Sequence, residues 1–139
     1  MNKPAPTILM IDDDIVDVKA LRRGLIHAQF DVRLVEAQGG VEALERLDSG
    51  EFNGESLIVL LDLNMPRMNG IEVLQALQQK ALRPVVWVMT TSSAEEDIRQ
   101  AYQAGAAGYF VKSELGDDFS GMIRVLEAYL RCNQFCCLP

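Results

Sequence analysis

Leu57-Ile58-Val59-Leu60-Leu61-Asp62-Leu63-Asn64-Met65-Pro66-Arg67-Met68-Asn69-Gly70 is the stretch on which the fold of this chain turns. Five apolar residues in a row run into one carboxylate, and a turn closed by Pro66 and Gly70 follows. Both faces of a strand must be apolar when helices cover a parallel sheet, so Leu57–Leu61 reads as a buried strand. Asp62 then falls at the carboxyl end of that strand, the rim where ligands and chemistry collect in open α/β sheets. A lone aspartate in such a place more often just ends a strand and starts a turn. Its meaning depends on what the other strands bring to the same rim.

On the N-terminal side, Thr7–Ile11 is a short apolar run that ends at Asp12-Asp13-Asp14, and it predicts a first strand. Ile15, Val18, Leu21, Leu25 and Ile26 recur at helical spacing and predict a helix facing the sheet. A second strand is expected over Val32–Glu36, broken by Gly39-Gly40, with Val41, Leu44 and Leu47 giving a short second helix. A polar loop, Glu51–Ser56, leads into the central strand.

Beyond Gly70, Ile71, Leu74 and Leu77 mark a third helix that must stop before Pro84. Val85–Met89 is a fourth strand ending in Thr90-Thr91-Ser92-Ser93, whose hydroxyls can cap a helix with Ile98, Ala101 and Tyr102 inward. Gly105 and Gly108 bracket the turn into Tyr109-Phe110-Val111, a fifth strand ending at Lys112, and Phe119, Met122, Ile123, Leu126 and Leu130 build a last amphipathic helix. Strands alternating with helices in this way imply an α/β fold, a five-stranded parallel sheet wound on both sides. The expected strand order is 2-1-3-4-5, a flavodoxin-like (βα)5 arrangement with strands one and three adjacent at the switch point.

The length of 139 residues suits a single domain over 1–139, with a core from about 6 to 131 and an apolar tail over 132–139. The net charge of -7 argues against direct nucleic-acid binding, which calls for a basic face, and suits a cation or a basic partner. Met1–Thr7 has no signal-peptide pattern, and no apolar stretch is long enough to span a membrane, so a cytoplasmic location is expected. Cys132, Cys136 and Cys137 crowd at one end without a nearby histidine, which fits neither a disulfide framework nor a zinc site.

With strands one and three adjacent, Asp12, Asp13 and Asp62 converge on one rim, joined by Thr90 from strand four and Lys112 from strand five. Clustered carboxylates repel one another unless a cation sits among them. Hard Mg2+ prefers oxygen ligands, so two or three carboxylates plus a carbonyl make a site for it, with Mn2+ as an alternative. A carboxylate can also act as a nucleophile and form an aspartyl phosphate. Phosphoryl transfer needs positioning and neutralisation of the transferring oxygens, which the Lys112 ammonium, the Thr90 hydroxyl and a metal could divide among themselves.

The sequence resembles the response-regulator receiver domains over nearly its whole length. The likeness is carried by Asp12-Asp13, by Asp62 within Leu61–Gly70, by Thr90 and by Tyr109-Phe110-Val111-Lys112. The resemblance implies a protein of a two-component or phosphorelay system in which Asp62 accepts a phosphoryl group from a sensor histidine kinase. It further implies that Asp12, Asp13, Asp62 and the Asn64 main-chain carbonyl hold the metal. Thr90 and Tyr109 would act as the switch, and Asn64 and Ser92 would tune the phosphoryl lifetime. Such a protein catalyses only its own phosphoryl transfer and dephosphorylation. Receivers usually carry proline after the lysine, often in a cis bond; Ser113 stands there instead.

No DNA-binding or catalytic domain is seen after the receiver, so output is expected from its own surface. The segment Ile11–Val18 and the tail Phe135-Cys136-Cys137-Leu138-Pro139 are similar to the stand-alone receivers that partner bacterial phytochromes, which are commonly homodimeric. Two other readings compete. Asp12-Asp13-Asp14-Ile15-Val16 fits the nucleophile motif of haloacid-dehalogenase-type phosphatases, with Asp12 as nucleophile and Asp117-Asp118 in the expected order, yet that leaves the Asp62 segment without a task. A flavin-binding electron carrier would need a hydroxyl- and glycine-rich loop after strand one, where three acids stand.

Overall fold

The computed structural model describes residues 5–80 and 83–133. It holds a parallel sheet of β1 (Thr7–Ile11), β2 (Arg33–Ala37), β3 (Leu57–Leu61), β4 (Val85–Thr90) and β5 (Gly108–Val111) in the order β2-β1-β3-β4-β5. Helices α1 (Ile15–His27), α2 (Gly40–Asp48), α3 (Gly70–Gln78), α4 (Glu95–Gln103) and α5 (Ser120–Cys132) connect and follow the strands. The expected fold class, strand order and alternation are all observed.

Strand side chains alternate between two cores, one on each face of the sheet. Leu9, Ile11, Val59, Leu61, Val86 and Val88 meet Ala43 of α2, Val73, Leu74 and Leu77 of α3, and Ala101 of α4. Ile8, Met10, Ile58, Leu60, Trp87 and Met89 meet Val18, Leu21 and Leu25 of α1 and Met122, Ile123 and Leu126 of α5. Trp87 anchors the second core, with the rings of Phe110 and Tyr129 each 5.1 Å from its own. Covering the sheet on both sides makes β1 and β3 buried at every position.

Several details depart from the sequence expectations. Ile15 and Ile26 lie on the solvent side of α1, because α1 meets the sheet through Val18, Ala20, Leu21 and Leu25. Val41 and Tyr102 are likewise exposed: α2 meets the first core through Ala43, with Leu44 and Leu47 packed against it, and α4 through Ala101, as expected. The loop over residues 51–56 is not wholly polar: Phe52 is buried in the first core, with the Arg46 guanidinium over its ring. Edge strand β2 starts and ends one residue later than expected. Phe119 precedes α5 in a left-handed conformation (φ 57°), burying its ring from outside the helix. The expected tail over Phe135–Pro139 lies outside the described residues.

Candidate functional site

The two central strands deliver their acids by continuing the ladder past their last apolar residue. The Asp12 amide donates to the Ala37 carbonyl and the Asp62 amide to that of Ile11, so both carboxylates leave the sheet at its carboxyl rim. Asp12 is 2% exposed and Asp62 7%, while Asp13 faces solvent. The acidic run divides its work: Asp14 is the N-cap of α1 and accepts from the Val16 amide, whereas Asp12 Oδ1 accepts from the Asp14 amide at 2.9 Å. Carboxylate oxygens of Asp12, Asp13 and Asp62 lie within 4.8 Å of one another.

The turn after β3 fixes Asp62 from the other side. Asn64 N donates to Asp62 Oδ1 at 3.1 Å, and Gly70 N donates to the Leu63 carbonyl at 3.0 Å. A Cβ on Gly70 would lie 2.6 Å from the Asp62 carbonyl oxygen and 2.7 Å from Leu63 Cα, so only glycine lets α3 start this close to the strand end. Asn69 caps α3 in a reciprocal capping box with Glu72.

Lys112 comes from the far edge, where β5 passes into a single 3-10 turn over Lys112–Glu114. No cis peptide bond occurs among the described residues. With Ser113 after the lysine, Leu115 N bonds to the Lys112 carbonyl and the Leu115 side chain is buried in the second core, which holds the turn. The lysine still reaches the crevice: its Nζ lies 3.1 Å from Asp12 Oδ2 and 3.6 Å from Asp62 Oδ2. It lies nearest, at 2.5 Å, to Asp17 Oδ2. Burial works against the ammonium, but the hydrogen bond to Asp17 and the charges of Asp12 and Asp62 hold its pKa above the usual lysine value. Asp12 is pushed up to about 6, chiefly by burial and further by the Asp62 charge, against the lowering effects of the Asp14 amide and Lys112.

Thr90 ends β4 fully buried, and its Oγ1 accepts from Asn64 Nδ2 at 3.3 Å. Ser92 turns its hydroxyl away, donating to Asp97 Oδ2 and accepting from the amide of Ala94; because Ala94 itself occupies the N-cap position, the hydroxyl cap expected for α4 is not made. Tyr109 is half-buried, and its hydroxyl donates to the Ser92 carbonyl at 2.9 Å. Asp13, Asp17, Asp62, Asn64 and Lys112 line an open cleft of about 510 Å3. Asp118 instead lies against α1 at Gly24 and accepts from Ser120, apart from the acidic cluster, which removes a residue the phosphatase reading needs.

The rim thus unites Asp12, Asp13, Asp62, Asn64, Thr90 and Lys112, with Ser92 and Tyr109 one layer out along β4–α4. The residue missed from the sequence is Asp17. Its position three residues after the N-cap Asp14 is where an acid ordinarily completes a capping box, which hides any other use. The donor set suits a hard divalent cation: all-oxygen, close-set, and containing a buried carboxyl whose charged form burial disfavours. A cation there can relieve the repulsion that one ammonium leaves among the acids.

Comparison with known proteins agrees with this geometry. The response regulator receiver domain pattern matches residues 8–124. The nitrate/nitrite response regulator protein NarL of Escherichia coli is 38% identical over 121 residues, which cover 84% of this chain but 52% of NarL. The chain therefore spans about half the length of that relative. Response regulator Rcp1 of Synechocystis is 29% identical over 133 residues, 92% of this chain and 90% of Rcp1. Its Mn2+-bound structure superposes with a TM-score of 0.79 at 28% identity, covering 95% of this chain and 99% of the other. The phosphorylated cyanobacterial phytochrome response regulator RcpA superposes with a TM-score of 0.82 at 26% identity, with the same coverage.

Proposed function

The chain belongs to the response regulator receiver domain family, and from that premise we propose that it accepts a phosphoryl group on Asp62 from the phosphohistidine of a sensor kinase. An Asp62 carboxylate oxygen attacks phosphorus as the P–N bond of the donor breaks; the electron pair leaves with the imidazole, and a P–O bond to Asp62 forms. The observation that carries this reading is the placement of Asp62. Its Oδ1 is held by the Asn64 amide, and its Oδ2 faces Lys112 at 3.6 Å in an open cleft.

Asp12, Asp13, Asp62 and the Asn64 main-chain carbonyl would hold Mg2+, or Mn2+ as in Rcp1, which when bound neutralises charge on the phosphoryl oxygens. Lys112 neutralises a further oxygen. Thr90 exchanges its Asn64 partner for a phosphoryl oxygen, and the change passes through the β4–α4 loop to Tyr109, which is tied to that loop at Ser92. Asn64 beside the acceptor and Ser92 on the loop set the access of water and so the phosphoryl lifetime. Catalysis is limited to the protein's own phosphorylation and dephosphorylation.

A phytochrome-type kinase as donor is supported by the similarity to the cyanobacterial phytochrome response regulator RcpA, while a cytoplasmic location and a homodimer belong to the same reading on the sequence resemblance alone. Incubation with Mg2+ and acetyl phosphate is expected to add one phosphoryl group, read by intact mass, and Asp62→Asn to abolish it. Labelling that persists in Asp62→Asn and vanishes in Asp12→Asn would instead make Asp12 the nucleophile.

A further inference from the structure

Of the three carboxylates around the Lys112 ammonium, the nearest is not the phosphoacceptor. Asp17 Oδ2 lies at 2.5 Å, Asp12 Oδ2 at 3.1 Å and Asp62 Oδ2 at 3.6 Å. Only the first two are within hydrogen-bond distance. Asp17 reaches Lys112 because the capping box that its position would ordinarily form is not made. The Asp14 amide, which the residue at that position would accept from, donates to Asp12 Oδ1 instead, and the Asp17 carboxylate crosses to Lys112 in the turn after β5. In α3, where no such competition exists, Glu72 does close the box on Asn69. The Asp17 and Lys112 side chains are only 20% and 10% exposed, so the pair is not loosened by free solvation.

We propose that Asp17 is a positioning residue that holds the Lys112 ammonium off the phosphoacceptor until a phosphoryl group arrives to compete for it. The proposal rests on Asp62 being the acceptor. Before transfer, Lys112 is shared between Asp17 and Asp12, leaving Asp62 Oδ2 outside hydrogen-bond range. When the phosphoryl group is on Asp62, its additional oxygens and charge draw the ammonium across, and the bond to Asp17 is given up. Asp17 therefore opposes phosphorylation in two ways, by retaining the cation and by adding a negative charge to the cleft that an anionic donor must enter. The first way alone requires Lys112.

The test measures the rate of labelling by acetyl phosphate at saturating Mg2+, by intact mass, in the wild type, Asp17→Asn, Lys112→Met and the double variant. Asp17→Asn is expected to speed labelling by about three- to tenfold, the range for releasing a partly screened ion pair, and Asp17→Glu to stay within about twofold of the wild type. In the Lys112→Met background only the charge effect is left, so Asp17→Asn is expected to speed labelling by a clearly smaller factor than it does in the wild type. Where that pair labels too slowly to measure, the affinity for beryllofluoride, by calorimetry, is compared over the same four proteins with the same expectation. An unchanged rate in Asp17→Asn, or the same acceleration with and without Lys112, would overturn the proposal. Asp17→Ser removes the charge at a position where helices accept serine and carries the same expectation. If neither Asp17→Asn nor Asp17→Ser folds, as judged by circular dichroism, Asp17 is structural and the proposal fails. A wild type that takes no label on Asp62 overturns the acceptor reading itself, a different outcome from a labelled wild type indifferent to Asp17.

Discussion

Asp12 carries the electrostatic cost of the site. Its carboxyl is 2% exposed, and its pKa is pushed from 3.8 up to about 6. Between those values the folded chain binds more protons than the unfolded one, so in metal-free protein stability falls as pH rises from about 4 to about 6. Above that window the loss is complete, on the order of 2–3 kcal/mol. Asp12→Asn is therefore expected to raise the urea midpoint of metal-free protein at neutral pH, with an unchanged slope. Mg2+ is expected to stabilise the wild type much more than the variant. Because the metal needs the ionised carboxylate, Mg2+ affinity measured by calorimetry should fall as pH drops below about 6. A variant no more stable than the wild type would mean that Lys112 already compensates Asp12 in full.

Among the elements, the turn between β3 and α3 does most to place the acceptor. Gly70→Ala would drive a Cβ into the Asp62 carbonyl and Leu63 Cα, both main-chain atoms that cannot rotate aside. The better helix propensity of alanine, about 1 kcal/mol, is outweighed by the need to open the turn. A net loss on the order of 2 kcal/mol in urea denaturation is expected, together with slower labelling of Asp62 because the Asn64 amide shifts with the turn. Legibility at this scale followed burial. Runs that are apolar on both faces, such as Leu57–Leu61 and Val86–Met89, could be read directly. Helix faces were less legible, because Ile15, Ile26, Val41 and Tyr102 fit a helical period yet stand exposed. Phe52 was hidden by the polar residues around it. Asp17 was hidden for a different reason: its local position already has a common use, and the residue that claims it lies 95 positions away.

For the whole molecule, the strand order β2-β1-β3-β4-β5 is what converts separate strand ends into one site. Asp12, Asp62, Thr90 and Lys112 could be assigned to one rim from the sequence because parallel strands all end on the same side. Their mutual distances could not, since these depend on the turn Lys112–Glu114 and on α1. None of the helices among the described residues is long and apolar enough to cross a membrane. Association between copies belongs to the proposed function, and light scattering before and after removal of residues 133 to 139 tests whether the C-terminal segment carries it. A fall from dimer to monomer mass would assign the contact to that segment, and an unchanged mass counts against it.

The central claim is that Asp62 is the residue that carries the phosphoryl group, and trapping the acyl phosphate tests it most directly. Protein labelled with acetyl phosphate and Mg2+ is treated with borohydride, which reduces an aspartyl phosphate to homoserine, and its peptides are mapped by mass spectrometry. Conversion confined to position 62, and dependent on the metal, is the predicted result. Conversion at position 12 or 13, or none in protein that has gained a phosphoryl group, would contradict it.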